Sequence, residues 1–589
     1  MAQTNIPVLI VGGGGAGLTA SALLSRLGIE SLLVSALPTT STLPKAHVLN
    51  QRAMEILTEV GIAPELYARG TPPEQMAATA WYAGFGGAHP DAGRQIAKME
   101  CWGAGGRDPF WAKASACPST NLPQIRLEPI MKKRADDLAP GRVRFGHELV
   151  DLTQDAAGVT ATIKDLGTGA DYTVRAQYVV ACDGGRTVGA KLGIALEGQR
   201  NVARAVSTHV TADLSRWARD PDVLIRWIWH PEMAAMGVLV PMGPNHWGPQ
   251  SEEWVYHLNY PFDDPRALDD ARVEADMRMA LGIGDHSITI HRISRWALEG
   301  VVANRFRVGR VFVAGDAAHR HPPTGGLGLN SAIQDVHNLT WKLAAVLNRQ
   351  ATDALLDSYE PERRATTANN VQRSVENALN QLGFGRQMGL SAEAGTEANW
   401  KQLQRIWSDR AEDKDFRRAT LRAVATQSME FNEHNVEYGY TYTSNAIISD
   451  DAAPANPVDP VRVYSPSTKP GAPLPHADVD DVDGVRQPLM NLVRTGHFLL
   501  IAGEDGQAWC DAAKGVANDL KIPLDAIRIG HIDGDYRDPR CAWMRQREIS
   551  SKGAVLVRPD RVVAWRSMGA AKNPTADLAT ALSKILGRA

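Results

Sequence analysis

The run Gly12-Gly13-Gly14-Gly15-Ala16-Gly17 restricts this chain more than any other stretch. It stands between the apolar segment Ile6-Pro7-Val8-Leu9-Ile10-Val11 and a helical pattern from Leu18 to Leu27. The glycines match G-x-G-x-x-G, which lets backbone approach a pyrophosphate seated on a helix N-terminus. Gly28 ends the helix and Ser31-Leu32-Leu33-Val34 supplies a second strand, so a βαβ unit opens the chain. Alone the motif is weak; in strand–turn–helix–strand order it is strong. The competing reading is a tight glycine turn with no ligand. A dinucleotide fold ordinarily ends its second strand in an acid for the ribose hydroxyls. Here Ser35 and Ala36 occupy that place, so Ser35 accepts a hydrogen bond without supplying a charged anchor.

A second constraint is the stretch from Arg310 to Asn330. Val311 to Ala314 reads as a short buried strand, and Gly315-Asp316 then presents a carboxylate just past its end. Open α/β sheets bind ligands at that edge. Pro322-Pro323 makes a rigid step, Gly325, Gly326 and Gly328 form a turn, and Asn330 is expected to cap a helix running through Asp335, Asn338, Trp341 and Leu343. One acid for hydroxyls and one positive helix end for a delocalised anion suit a flavin's ribityl chain and its N1–C2 edge. The plain alternative is a strand–turn–helix with an incidental aspartate. Tyr178 to Gly185 repeats the pattern, with Asp183 at the end of another strand. Asp183 is either a turn residue or a second cofactor contact, and the latter is preferred. Asn50 caps a helix carrying Met54, Ile56 and Leu57, with Arg52 free to reach phosphates; His47, just before it, titrates near neutral pH. A lone histidine is most often structural.

At 589 residues the chain predicts roughly three to four domain-sized units. A net charge of −3 gives no basic field, which argues against nucleic acid as a partner. Five cysteines, odd in number and without C-x-x-C, argue against a disulfide framework or a metal site. No basic leader precedes Ile6, and no apolar run nears the roughly 20 residues a membrane span needs. The expectation is a cytoplasmic protein.

Residues 70–117 are rich in Gly, Pro, Trp and Ala and read as an excursion over the core. A small antiparallel meander follows between Val143 and Ala176. Aromatic-rich strands occupy about 202–293 and place Trp227 and Trp229 on one face, as a wall for an aromatic substrate or as core packing. Trp227-Ile228-Trp229-His230-Pro231 is similar to the tryptophan signature of flavin-dependent halogenases, but its isoleucine is missing. Asp335–Leu347 and Leu355 to about Gln381 read as long helices, and Asp450–Pro475 as a linker. The remainder reads as a compact α/β domain resembling a thioredoxin fold. There Trp509-Cys510 precedes Ala512 and Ala513 rather than a second thiol, so dithiol chemistry lacks a partner.

Taken in order, Gly12 to Gly17, Cys182-Asp183-Gly184 and Gly315-Asp316 through Asn330 resemble the class A flavoprotein aromatic monooxygenases, which share the para-hydroxybenzoate hydroxylase fold. Lys45-Ala46-His47 with Asn50-Gln51-Arg52, Leu122-Pro123-Gln124 and Thr468 to His476 are similar to the subgroup of phenol hydroxylase, 2,4-dichlorophenol 6-monooxygenase and 2-hydroxybiphenyl 3-monooxygenase. The resemblance implies an α/β fold with α+β insertions. It has a Rossmann-like FAD-binding domain (1–75, 107–200 and 300–395) and a mixed-sheet substrate domain (76–106 and 201–299). A helical connector (396–450), a linker (451–475) and a thioredoxin-like domain (476–589) complete it. It implies FAD as cofactor and NADH or NADPH as transient reductant. The implied reaction transfers oxygen from a flavin C4a-hydroperoxide to the ring of a phenol, in a homodimer or homotetramer.

For individual residues the resemblance implies His47 as the base that deprotonates the phenol. Gly12, Gly14, Gly15, Gly17, Ser35, Arg52, Gln124, Asp183, Asp316, Pro323, Gly328, Leu329 and Asn330 are implied around FAD, and Pro322, Trp227 and Trp229 around the substrate. Departures are Lys45 where arginine is usual, Cys182 before Asp183, Ala190 where some members have arginine, and no match for the subgroup's active-site arginine around Pro241–His246. A halogenase or epoxidase on the same fold, or a non-catalytic flavin-fold binding protein, are the alternatives.

Overall fold

The computed structural model describes residues 3–450 and 458–588, so the first part of the expected linker, 451–457, lies outside the described residues. In chain order the elements used below are β1 (Gln3–Val11), α1 (Gly15–Arg26), β2 (Ser31–Ser35), α2 (Gln51–Val60), β3 (Ala78–Ala83), α3 (Gln124–Leu138) and β4 (Asp171–Ala181). Next come β5 (Leu196–Thr211), β6 (Val223–His230), β7 (Ala235–Gly243), β8 (Glu253–Tyr260), β9 (Thr289–Ala303) and β10 (Val311–Val313). Helices α4 (Leu327–Leu347) and α5 (Tyr359–Met388) precede β11 (Phe498–Ala502), β12 (Leu524–Gly530), β13 (Ala554–Val557) and β14 (Val563–Ser567).

The first sheet holds β10, β4, β1 and β2 side by side, all parallel. Val8 to Val11 and Val311 to Val313 are buried on both faces, which is why these strands read as unbroken apolar runs. From β1 the chain leaves to β2 on one side, while β4 pairs on the other. The carboxyl ends of β1 and β4 therefore flank a topological switch point, where such sheets open a ligand crevice. The meander of residues 147–165 hangs on β4 through an antiparallel edge.

The second sheet runs β9–β5–β8–β7–β6–β3, extended by Arg94–Glu100 beyond β3. Residues 78–83 and 94–100, in what read as an excursion, are thus strands of this sheet. One face packs Trp81, Trp227, Trp229, Val240 and Val255 against Phe384 and Met388 of α5 and against Phe431. The opposite face packs Val206, Ile228, Leu239 and Tyr256 against the helix Asp270–Leu281.

The third sheet contains β12–β11–β13–β14, with β11 and β12 parallel and the last two pairings antiparallel. Helices Gln507–Leu520 and Pro574–Ile585 pack on it, the arrangement expected of a thioredoxin fold. Cys510 is buried and free, with burial pushing its thiol up to about 11. This sheet is fastened to the first by a buried ionic cluster. Arg558 donates to Glu362 on α5 at 2.6 and 2.9 Å and to Asp560 at 2.9 Å, and Lys342 on α4 donates to Glu362 at 2.8 Å. Among the described residues no helix is long and apolar enough to cross a membrane.

Candidate active site

The glycine turn is shaped by packing. Gly12 has φ +113°, and a Cβ there would overlap the Cys182 carbonyl at the end of β4. A Cβ on Gly17 would overlap the Gly12 carbonyl, and one on Gly15 would stand 2.6 Å from Leu329 of α4. These glycines set strand, helix and second helix in direct contact. Gly14 differs: the nearest atom to its Cβ position is Glu128 Oε1 at 3.7 Å, so that side of the turn is open.

Helix α1 starts on Gly14 and α4 starts on Gly326, neither with a side-chain cap nor an acid in the first turn. Each helix start presents backbone N–H groups and positive potential to whatever lies in front of it. Gly315 joins them: its Cβ position is 3.2 Å from Ala16 Cβ and 3.3 Å from Ala332 Cβ. Asp316, next along, is exposed at the same edge. A diphosphate fits the first helix start and a delocalised flavin anion the second, so the residues present fit FAD. Expected outcome: Gly14→Ser supplies the missing cap, adding a few tenths of a kcal/mol to helix stability. The apoprotein should melt no lower than wild type, while FAD affinity, measured by fluorescence titration, falls at least about tenfold because the hydroxyl occupies the amides a phosphate needs.

Asn330 does not cap α4. The turn needs a left-handed residue, Gly326 with φ +66° supplies it, and the helix begins at Leu327. Asn330 sits one turn inside, donating to Gly326 O at 2.7 Å and Val48 O at 3.1 Å and accepting from Asn50 N–H at 3.0 Å. It thereby ties α4 to the segment carrying His47. Asn50 caps α2 through Ala53 N–H, as the sequence led us to expect.

Three other expected cofactor residues have different partners. Arg52 is buried and donates to Glu55 at 2.7 Å and to the Asp560 carbonyl at 2.7 Å, facing the third sheet. Asp183 accepts from Gly185, Thr187 and Val188 N–H groups at 3.0, 2.8 and 2.9 Å, a turn-and-cap role. Gln124 donates to Glu128, whose other oxygen accepts from Ser41 N–H at 2.6 Å. Ser35 is buried, and its Cβ stands 3.0 Å from the Cβ position of Gly13. Pro322 is buried and Pro323 exposed at the entrance to the Gly325–Gly328 turn.

Behind Gly315 lies a buried chain that sequence reading missed. His319 Nε2 meets Asp335 Oδ2 at 2.7 Å, Gly315 N–H donates to the same oxygen at 3.0 Å, and Arg363 donates to Oδ1 at 2.8 Å. His321 Nε2 meets His319 Nδ1 at 3.0 Å. Burial opposes ionisation of Asp335, but His319 and Arg363 outweigh it and hold its carboxyl below the usual range.

A second missed group is acidic. Glu430, Glu433 and Glu437 are buried, the first two against Gly325 of the glycine turn, and Asn377 donates to Glu433 at 3.2 Å. Burial raises all three, Glu430 to about 7 and Glu437 to about 8. A folded-state pKa above the unfolded value of 4.5 means stability present at low pH is lost as pH rises towards 8. Expected outcome: the melting-temperature advantage of Glu437→Gln over wild type grows across that interval and levels off above it, as thermal unfolding at stepped pH would show.

The ionisable groups facing the second sheet centre on His47. Val48–Leu49 pairs with Thr120–Asn121, which places Asn121 beside the histidine. His47 Nδ1 lies 2.6 Å from Asn121 Oδ1, and Asn121 Nδ2 donates to Thr71 at 2.7 Å. In this orientation of the amide, with Nδ2 given to Thr71, Oδ1 accepts and Nδ1 of His47 carries the proton. Nε2 is then a lone-pair acceptor. Burial lowers the pKa of His47, against the opposing Asn121 bond, so the neutral base form prevails at neutral pH. Trp227 and Trp229 are packed as core: Trp227 Nε1 donates to Thr79 at 3.0 Å, and Phe431 and Phe384 meet the two rings edge-on at 6.0 and 5.5 Å.

Comparison with known proteins gives the family. Residues 5–374 match the FAD binding domain family and residues 467–589 the aromatic-ring hydroxylase C-terminal family. The chain is 33% identical to 2,4-dichlorophenol 6-monooxygenase of Cupriavidus pinatubonensis, covering 99% of this chain and 96% of that one. It is 33% identical to phenol 2-monooxygenase of a Pseudomonas species, covering 99% and 93%. The crystal structure of the flavin-dependent monooxygenase PieE with FAD and substrate superposes with a TM-score of 0.91 at 37% identity, covering 99% of both chains. The chain therefore belongs to the FAD-dependent aromatic-ring hydroxylases, as a flavoprotein monooxygenase.

Proposed function

We propose that the enzyme hydroxylates the ring of a phenol, with His47 as the base that takes the phenolic proton. The observation that carries the proposal is the 2.6 Å contact of His47 Nδ1 with Asn121 Oδ1: an amide oxygen there accepts the Nδ1 proton and leaves Nε2 as the lone-pair nitrogen. A phenolate ring is far more electron-rich than a phenol, so removing that proton raises its reactivity towards an electrophilic oxygen. Bound FAD supplies that activated oxygen from O2 at the expense of NADH or NADPH. The N–H groups at the start of α1 would hold the FAD diphosphate, Asp316 the ribityl hydroxyls, and the backbone of Gly328 and Leu329 the pyrimidine edge. The likeness to relatives named for phenols and a chlorophenol supports the substrate class. The subgroup resemblance supports a cytoplasmic homodimer or homotetramer, which sedimentation tests.

Anaerobic bleaching of the bound flavin by NADH, with and without a panel of simple and ortho-substituted phenols, tests the reading. Strong acceleration by one phenol is the expected result. Rapid reduction that no phenol alters would remove it.

A further inference from the structure

The second sheet carries a polar residue that the proposed chemistry does not use. Strand registers pair Trp81 with Trp227, Trp227 with Val238, Val238 with His257, His257 with Ser207, and Ser207 with Ser294. Directly paired residues point to one side of a sheet. His257 therefore lies on the face that carries Trp227, and Val48, the neighbour of His47, packs against that same face. Burial, and secondarily the field of His47, hold His257 at about 4, and burial also lowers His47, so both histidines are neutral at neutral pH.

The hydrogen bonds assign a tautomer here too. Ser207 Oγ lies 2.7 Å from His257 Nδ1 and accepts from Trp296 Nε1 at 3.2 Å. With the indole as donor, the serine satisfies all its groups by giving its own proton to Nδ1. His257 then carries its hydrogen on Nε2. The two histidines are complementary: Nε2 of His47 accepts, and Nε2 of His257 donates.

We propose that His257 is a substrate-binding residue whose Nε2–H donates to an oxygen acceptor on the phenol. The preferred substrates then carry a carbonyl or a comparable oxygen in addition to the hydroxyl deprotonated by His47. This inference rests on the hydroxylase reading above.

The test uses the FAD-loaded enzyme and follows the change in flavin absorbance on titration, which needs no turnover. The three hydroxyacetophenones are compared with the three isopropylphenols, matched in shape but lacking the acceptor. In wild type at least one regioisomer of the ketone should bind about five- to tenfold tighter than its isopropyl counterpart, the span of one net hydrogen bond. His257→Phe should bring that ratio to about one, and His257→Asn, which keeps an N–H donor, should preserve part of it. The Asn variant also guards against a folding defect, since both variants must retain the wild-type flavin spectrum. Ketone phenols are also more acidic, and a preference that survives in His257→Phe comes from that acidity and overturns the proposal. Equal affinities in wild type overturn it as well while leaving the hydroxylase reading intact. If none of the six phenols perturbs the flavin or speeds its reduction, the hydroxylase reading fails and this inference falls with it.

Discussion

Replacing His47 with alanine lowers phenol hydroxylation by about 10²- to 10⁴-fold, the usual worth of a positioned base, with FAD content unchanged. FAD should stay because the uncapped starts of α1 and α4 that fit it do not depend on the imidazole. The loss should be graded by substrate. A nitrophenol already ionised at the assay pH needs no base and should lose far less than phenol itself. The pH profile adds a check with a definite sign. Burial depresses the pKa of His47 below 6.5, so the wild-type acid limb should fall below that value and be missing in the variant. Stopped-flow flavin reduction and product chromatography across pH 5–9 would read both. Full activity of His47→Ala on phenol across that range would take the histidine out of the mechanism.

Arg558→Ala costs about 3–5 kcal/mol of stability, the penalty of stranding a buried charge. Arg558 donates to both oxygens of Glu362, and both side chains are wholly buried. Burial alone would raise the Glu362 carboxyl, yet Arg558 and Lys342 hold it well below the usual carboxylate range. Deleting the guanidinium leaves Glu362 with Lys342 as its remaining ion-pair partner beside the neutral donors Asn338 and Ser444, and burial has brought the pKa of that lysine down to about 8. The expected result is a markedly lower melting temperature with earlier exposure of the third sheet, seen by thermal unfolding and hydrogen exchange. Exchanging Arg558 and Glu362 together for apolar residues should recover much of the loss, since the pair is dear to break and cheap to replace. Unchanged melting in Arg558→Ala would show that the cluster does not hold the domain.

How much of this was legible depended on how far away each partner lies. Gly12 to Gly17 and Gly315 to Gly328 could be read because their constraint is local: the backbone at Gly12 and Gly326 takes conformations that side chains resist. Asn330 was read as a cap because it is a good one, but a positive-φ glycine four residues earlier starts the helix, and the amide bonds backward instead. Arg52 looked free because one of its two partners, the Asp560 carbonyl, is 508 residues away; the other, Glu55, stands three residues on and was within reach of a local reading. Period-two alternation put Trp227 and Trp229 on one face but could not show that Phe431 and Phe384 cover it. Asp183 carried two readings, and its three backbone amides favour the turn. His257 gave no signal, because what defines it is Ser207 on the neighbouring strand, 50 residues distant.

Helix α4 begins at the glycine turn proposed for the flavin and, four turns on, contributes Lys342 to the ionic cluster with Glu362, Arg558 and Asp560. Chimaeras that exchange C-terminal domains between relatives are constrained by this arrangement. A donor domain brings its own equivalents of Arg558 and Asp560, and the recipient must already hold the matching acid and lysine on α5 and α4. Compatibility of such a splice depends on these four positions, together with Arg52 and Glu59, which meet the Asp560 carbonyl and Arg561 across the same boundary. A mismatch would be felt along one rigid rod at the end proposed for the cofactor, so the hybrid should fail in flavin retention before it fails in solubility.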